Sequence, residues 1–296
     1  MRRAAAAFLF FLCLVGTAFA ATVDPVVPAA PGKVPREVPA QDMEGFNLSG
    51  YTEEGQKAWD IKGDKAHIQG DQVAVTNVNA NAYGDQDVNL TARKGQIDKA
   101  TGDVKLQQDV VITSQDGATL KTDTLNWQRN RDLVQTDDKV RIEDTNMVIQ
   151  GQGMEAHPSL KEATLKSDVV ADIVTESQKA GGKNKKADNR IQITSDGPME
   201  VDQVSQTAVF TENVRAVELS TGRTLVSDRM EVTFNKDSRK IKCIVCTGNV
   251  ELHQGENVTY SDKLVYTADD QRMVLTGKPK LLIDPGDHTS KEVLSN

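Results

Sequence analysis

The sequence predicts an all-β chain of short antiparallel strands, and three observations carry that reading. Val, Thr, Ile, Asp and Gly recur throughout, aromatics make up only 4%, and no long helical periodicity is present. Apolar and polar residues alternate with period 2 in short runs, which polar turns such as "NKDSRK" and "TADDQR" separate. The runs also repeat, which makes the fold modular.

The N-terminus comes first. Arg2 and Arg3 precede an apolar run from Ala4 to Val15, then Gly16-Thr17-Ala18-Phe19-Ala20. This is the layout of a secretory signal with Ala18-Phe19-Ala20 at the cleavage site. Cys13 lies inside the apolar run after Phe11 and Leu12, which argues against a lipoprotein signal. The alternative is a retained anchor, because Ala4 to Ala21 reaches the short edge of a bilayer span. No later segment is apolar enough to span, so the chain is expected in an export compartment.

Residues 21–41 hold five prolines without alternation and read as an extended linker. A second break at 176–190, "ESQKAGGKNKKADNR", carries five basic and two acidic residues and reads as a solvated linker. Some 275 residues exceed the usual size of one core, roughly 250 at most. The expected organisation is a signal at 1–20, a module at 42–175, a second at 191–285 and a flexible tail at 286–296.

Within the modules, "LKTDTLNW" (120–127), "LVSDRMEV" (225–232) and "TYSDKLVY" (259–266) align on Asp123, Asp228 and Asp262. Each Asp is followed two and four residues on by apolar side chains. "ITSDGPMEV" (193–201) fits with one extra residue after Asp196, as in a β-bulge. Second strands follow: "VKLQQDVVI", "VQTDDKVRI", "AVFTENVRA", "IVCTGNVEL" and "MVLTGKPKLLI". The inward apolar stripe then reads Trp59, Ile61, Leu106, Val110, Leu125, Trp127, Val140, Phe210, Val214, Met230, Val232, Phe234, Cys246, Val250, Leu252, Leu264, Tyr266 and Leu275.

Cys243-Ile-Val-Cys246 has the spacing of a redox pair or half a zinc site. Three residues along a strand span roughly 10 Å, too far for a disulfide without breaking the strand. Zinc would need further ligands, and His67, His157, His253 and His288 are scattered. Cys246 is expected in the core and Cys243 on the other face. No metal and no cofactor is expected.

Removing residues 1–20 takes away two of the 35 basic residues and none of the 43 acidic, leaving a formal charge of −10. That argues against nucleic acid, whose binding relies on Lys and Arg neutralising phosphates. No nucleophile elbow, P-loop, zinc-protease or dinucleotide motif occurs. The recurring aspartates could suggest a glycosidase, but recurrence at one repeat position points to a structural role in strand starts or turns.

Residues 46–83 resemble the opening of the periplasmic lipopolysaccharide-transport protein family LptC. The likeness rests on Gly55, Trp59-Asp60-Ile61, Ala66 and Val73-x-Val75-x-x-Val78, and continues to about residue 173. Residues 191–284 resemble the related LptA (OstA-like) module through "SDRMEV", "CTGNVEL" and "YSDKLVYTADDQRMVLTGKPKLL". The resemblance implies two consecutive open, twisted antiparallel β-jellyroll modules, V-shaped, and no enzyme chemistry. The apolar stripe becomes a lipid groove for lipopolysaccharide acyl chains. The implied partners are lipopolysaccharide, the inner-membrane lipopolysaccharide ABC transporter, and LptA-like or outer-membrane translocon jellyroll modules joined by edge-strand addition. The implied location is the periplasm, with inner-membrane attachment if residues 4–21 are retained. A structural or adhesive exported β-repeat protein without lipid cargo is the alternative.

Overall fold

In the computed structural model, the described residues are 39–283, except 53, 85–86, 116, 175–189, 237–239 and 271. The expected signal and tail lie outside them, as do nearly all of the two expected linkers. Among the described residues the chain is antiparallel β-structure with a single 3-10 turn at Arg129–Arg131. This is the all-β, jellyroll-type architecture the sequence predicts. No helix among these residues is long and apolar enough to cross a membrane.

The chain divides into two compact units: residues up to Ser167 with Glu200–Ser205, and Asp168–Met199 with the residues from Gln206 on. Unit 1 is built on β1 (Gln41–Tyr51), β2 (Lys57–Gln69), β3 (Gln72–Ala82), β4 (Val88–Asp98), β5 (Val104–Ser114), β6 (Thr119–Gln128), β7 (Leu133–Asp144) and β8 (Met147–His157). The division falls inside β9 (Glu162–Val174). Unit 2 contains β10 (Arg190–Ser195), β12 (Thr207–Glu218), β13 (Thr224–Phe234), β14 (Ile241–Gln254), β15 (Asn257–Thr267), β16 (Arg272–Thr276) and β17 (Lys280–Leu282). The short β11 is Met199–Asp202.

Strands adjacent in sequence pair from β1 through β8, and again from β12 through β16. Local chemistry sets the turns. Gln69 pairs with Gln72, so Gly70-Asp71 alone reverses the chain, and Gly70 takes the left-handed φ of +58° that such a turn favours. Asp98 closes the β4–β5 connection by accepting the amides of Ala100 and Thr101.

The core of each unit lies on one face of its strands, in lateral rows set by the register. In unit 1 one row runs Ala66, Val75, Gly95, Leu106, Leu125. Another runs Ile61, Ala80, Leu90, Ile112, Leu120, Ile142, Ile149. In unit 2 the principal row is Phe210, Met230, Cys246, Leu264, Leu275.

The long strands bend partway along. The register gaps fall at Gln107/Val110, Thr211/Val214 and Thr247/Val250, where one strand carries one residue more than its neighbour. The extra residues take left-handed φ: Gln108-Asp109, Glu212-Asn213, Gly248-Asn249 and Gly277-Lys278. The result is a crease across each sheet. In "ITSDGPMEV" the strand stops after Ser195 and resumes as β11 at Met199. Between them the Asp196 amide donates to Glu212 O at 3.0 Å and Pro198 O accepts from the Thr211 amide at 3.1 Å, so the segment stays bonded to β12 although Pro198 has no amide to donate.

Candidate functional site

The crease explains the recurring aspartates. Asp123, Asp228 and Asp262 are exposed and lie mid-strand, opposite the left-handed doublets, so they belong to neither strand starts nor turns. Asp228 accepts a bond from Asn249 Nδ2 at 2.9 Å, and Asp196 accepts one from Asn213 Nδ2 at 2.7 Å. In unit 1, Asp64 accepts from Asn77 Nδ2 at 2.6 Å, and Arg93 pairs with Asp109. A second part of the motif faces inward. Buried Ser227 and Ser261 each donate to the carbonyl two residues on, Arg229 at 3.2 Å and Lys263 at 3.3 Å. Ser195 does the same to Gly197 at 3.3 Å. Serine spans the bend inside while aspartate braces the neighbouring strand outside.

The bend also resets which face a side chain takes. In β6 the buried residues are Leu120 and Thr122, then Leu125 and Trp127. In β13 they are Thr224 and Ser227, then Met230 and Val232. The doublet strands carry one more residue and so keep their parity, as Phe210 and Val214 show in β12 and Cys246 and Val250 in β14.

Of the expected stripe, Leu106, Val110, Leu125, Trp127, Val140, Phe210, Val214, Met230, Val232, Cys246, Val250, Leu252 and Leu264 are buried. Trp59, Ile61, Phe234, Tyr266 and Leu275 are half-buried. The Trp59 indole occupies the space where a side chain on Gly50 of β1 would stand. The stripe omits Ile112, Leu120, Ile142, Ile149, Met154 and Ile193, which are equally buried. The "QD", "EN" and "GN" doublets before Val110, Val214 and Val250 are the sequence signal for the bend, which puts Leu120 on the opposite parity from Leu125.

Cys243 and Cys246 are free, the first half-buried and the second fully buried. Cys246 lies between Met230 and Leu264, while Cys243 sits opposite Thr233 and Thr267. Burial pushes the Cys246 thiol up to about 12, with a bond from Ser227 opposing slightly. Such a thiol is inert at neutral pH.

A polar cluster lies at the start of β2. Asp60, its side chain 3% exposed, pairs with Lys57 and accepts from Asn81 Nδ2 and the Tyr83 hydroxyl, both at 2.8 Å. Burial alone would raise its pKa, but the bonds from Lys57, Asn81 and Tyr83 outweigh burial and hold it at about 2. Both carboxylate oxygens are used in bracing the strand, which leaves no poised acid or base. A depression of about 510 Å³ in unit 1 is lined by exposed polar side chains such as Lys65, His67 and Lys94 and by Met43 and the core-row residues Ala66, Val75 and Gly95, so polar and apolar groups share it. Among the described residues no group of three or more His, Cys, Asp or Glu is placed to hold a metal ion.

Two protein families match the chain in tandem. The family described as lipopolysaccharide-assembly, LptC-related, matches residues 5–174. The family described as LptA/(LptD N-terminal domain) LPS transport protein matches residues 192–293. No curated protein matches the chain.

Proposed function

We propose, from the premise that this chain belongs to the LptC-related lipopolysaccharide-assembly family, that its two modules carry lipopolysaccharide by its acyl chains along their apolar inner faces. The coarse role is lipopolysaccharide transport, common to both matched families, which comprise transport and bridge proteins rather than enzymes. The observation that supports the finer reading is the lateral continuity of the apolar rows. From Phe210 to Leu275, five adjacent strands each add one apolar side chain at the same height. Such a row runs across the strands for about 19 Å, four steps of about 4.8 Å. Each methylene buried there contributes about 0.8 kcal/mol, so affinity needs no charged site.

In this reading the modules at 42–175 and 191–285 act in series in the periplasm. The first receives lipid from the inner-membrane ABC exporter, and the second hands it towards the outer membrane. The lipid-facing set is the stripe named above, Trp59 to Leu275. The outgoing partner is a further jellyroll module, which adds a strand beside β16 and β17. Leu281, Leu282 and Ile283 there are 57%, 59% and 66% exposed.

A photo-crosslinking residue placed at Trp127, Phe210 or Val232 in cells tests the reading. Lipopolysaccharide adducts are expected at these positions and not at Arg229 or Glu251 on the opposite face. Equal labelling of both faces, or none on either, would overturn it in favour of an exported β-repeat protein without lipid cargo.

A further inference from the structure

Successive turns at one end of the unit 1 strands are bonded into a row. The Lys99 amide donates to Asp71 O at 2.8 Å, the Arg129 amide to Asp103 Oδ1 at 3.1 Å and the Ser159 amide to Asp132 Oδ2 at 2.8 Å. The Gln203 amide, also in unit 1, donates to Lys161 O at 3.1 Å. The row carries Lys99, Arg129, Arg131 and Lys161, and among the described residues none of the four is ion-paired. Of the carboxylates there, Asp98, Asp103, Asp132 and Asp202 each accept turn amides, and Asp71 is exposed. Leu160 and Val204, on two of these turns, are 57% and 75% exposed. The turns at the opposite strand ends, 52–56, 83–87, 115–118 and 145–146, have no Lys or Arg but acidic residues such as Glu54 and Asp87.

The inner face differs between the two ends as well. Beside the cationic turns its last lateral row runs Ile68, Val73, Ile97, Val104, Trp127, and the first four are half-buried. At the opposite ends the row runs Trp59, Ala82, Val88, Ser114. Trp59 is half-buried there, while Ala82, Val88 and Ser114 are at most 5% exposed. The apolar face therefore opens to water chiefly beside the cationic turns.

We propose that this row of turns holds the phosphate-bearing headgroup of the lipid whose acyl chains lie on the inner face of unit 1. The proposal rests on the acyl-chain reading above. An amphiphile seated by its tails emerges where that face is open, and its anionic head then meets cations rather than acidic turns. Arginine fits phosphate because its planar fork donates two parallel bonds. Leu160 and Val204 beside the cations match the boundary of such a molecule, where sugar gives way to hydrocarbon.

Binding of the full chain to two lipids tests it: the bis-phosphorylated lipid anchor of lipopolysaccharide, and the same anchor stripped of its phosphates. The phosphorylated anchor is expected to bind at least about 10-fold more tightly, the effect of one charge-assisted contact. The preference should shrink as salt rises from about 50 to about 500 mM. In a chain carrying Lys99→Glu, Arg129→Glu, Arg131→Glu and Lys161→Glu the two anchors should bind alike. If that chain does not fold, Arg131→Gln with Lys161→Gln, both at exposed positions, should cut the preference at least about 3-fold. Equal binding of both anchors by the native chain overturns the proposal and leaves the acyl-chain reading standing, as does a preference that survives the substitutions. Failure of both anchors to bind overturns that reading and the proposal together. Capture by phosphatidylglycerol vesicles that the same substitutions abolish, with no preference between the anchors, assigns the turns to a bilayer surface and overturns the proposal.

Discussion

Asn249 donates from Nδ2 to Asp228 Oδ2 at 2.9 Å across β13 and β14, tying a left-handed residue to the neighbouring strand where the ladder is interrupted. A side-chain bond there replaces backbone bonds that the bend removes. The pair should therefore behave as one unit. Asp228→Ala and Asn249→Ala are each expected to cost about 1–2 kcal/mol, and the double variant little more than either single one. Urea unfolding of the three proteins measures this, and full additivity would contradict the coupling.

Gly248 should be less forgiving than its neighbours. Its φ of +77° lies in the left-handed region, and an added Cβ would stand on the Asp228 carboxylate. Gly248→Ala is expected to destabilise by about 2–3 kcal/mol. Gly255→Ala lies in an open turn, where an added Cβ would meet nothing within 4 Å. It should cost less, about 1 kcal/mol from φ alone. Thermal unfolding of both variants gives the comparison.

The two faces of β13 should differ sharply. Met230→Ala is expected to cost about 2–5 kcal/mol, since the side chain is fully buried between Phe210 and Cys246. Arg229→Ala removes only an ion pair with Glu231 at 2.9 Å, in which both side chains are about a third exposed or more. It should cost under about 1 kcal/mol. Denaturation midpoints decide between them, and equal losses would mean the face assignment is wrong.

Asp60 gives the acid limb of stability a specific cause. Its folded pKa of about 2 lies below the ordinary 3.8, so its contribution is full above the ordinary value and is lost as pH falls through about 2. That contribution is on the order of 2–3 kcal/mol at most. The stability difference between the native chain and Asp60→Asn should shrink between pH 5 and pH 2. A difference that stays constant over that range would exclude the linkage.

Thiol labelling distinguishes the cysteines. At neutral pH a maleimide should reach half-buried Cys243 in the folded protein, while Cys246 should react only after unfolding. Mass spectrometry of the labelled peptides reads the order, and labelling of Cys246 in the folded state would contradict the packing described.

Much of this fold is legible in the sequence because period-2 alternation survives within each half-strand. Leu125 and Trp127 follow Asp123 in register, and both are buried as that pattern requires. Leu120 escapes the same pattern because the bend at Asp123 puts residues before it on the opposite parity. The aspartates are visible as a repeat but their place is not, since a polar residue between apolar ones resembles a turn until its neighbour across the sheet is known. Asp228 acquires its role only beside Asn249, 21 residues away. Ile193 escapes for a different reason: β10 is six residues long, and one short run gives alternation little to act on.

The crease has a mechanical consequence. A strand bonded to two neighbours resists flexing, because bending it strains hydrogen bonds on both sides. Along the line of left-handed residues the regular register is broken: the Asp196 amide still donates to Glu212 O at 3.0 Å, and side chains such as Asn213 and Asn249 add bonds across the gap. Compliance is thereby concentrated at a hinge line within each unit. In the proposed reading this line is where each unit would yield to an acyl chain, with the ladders on either side of it left intact.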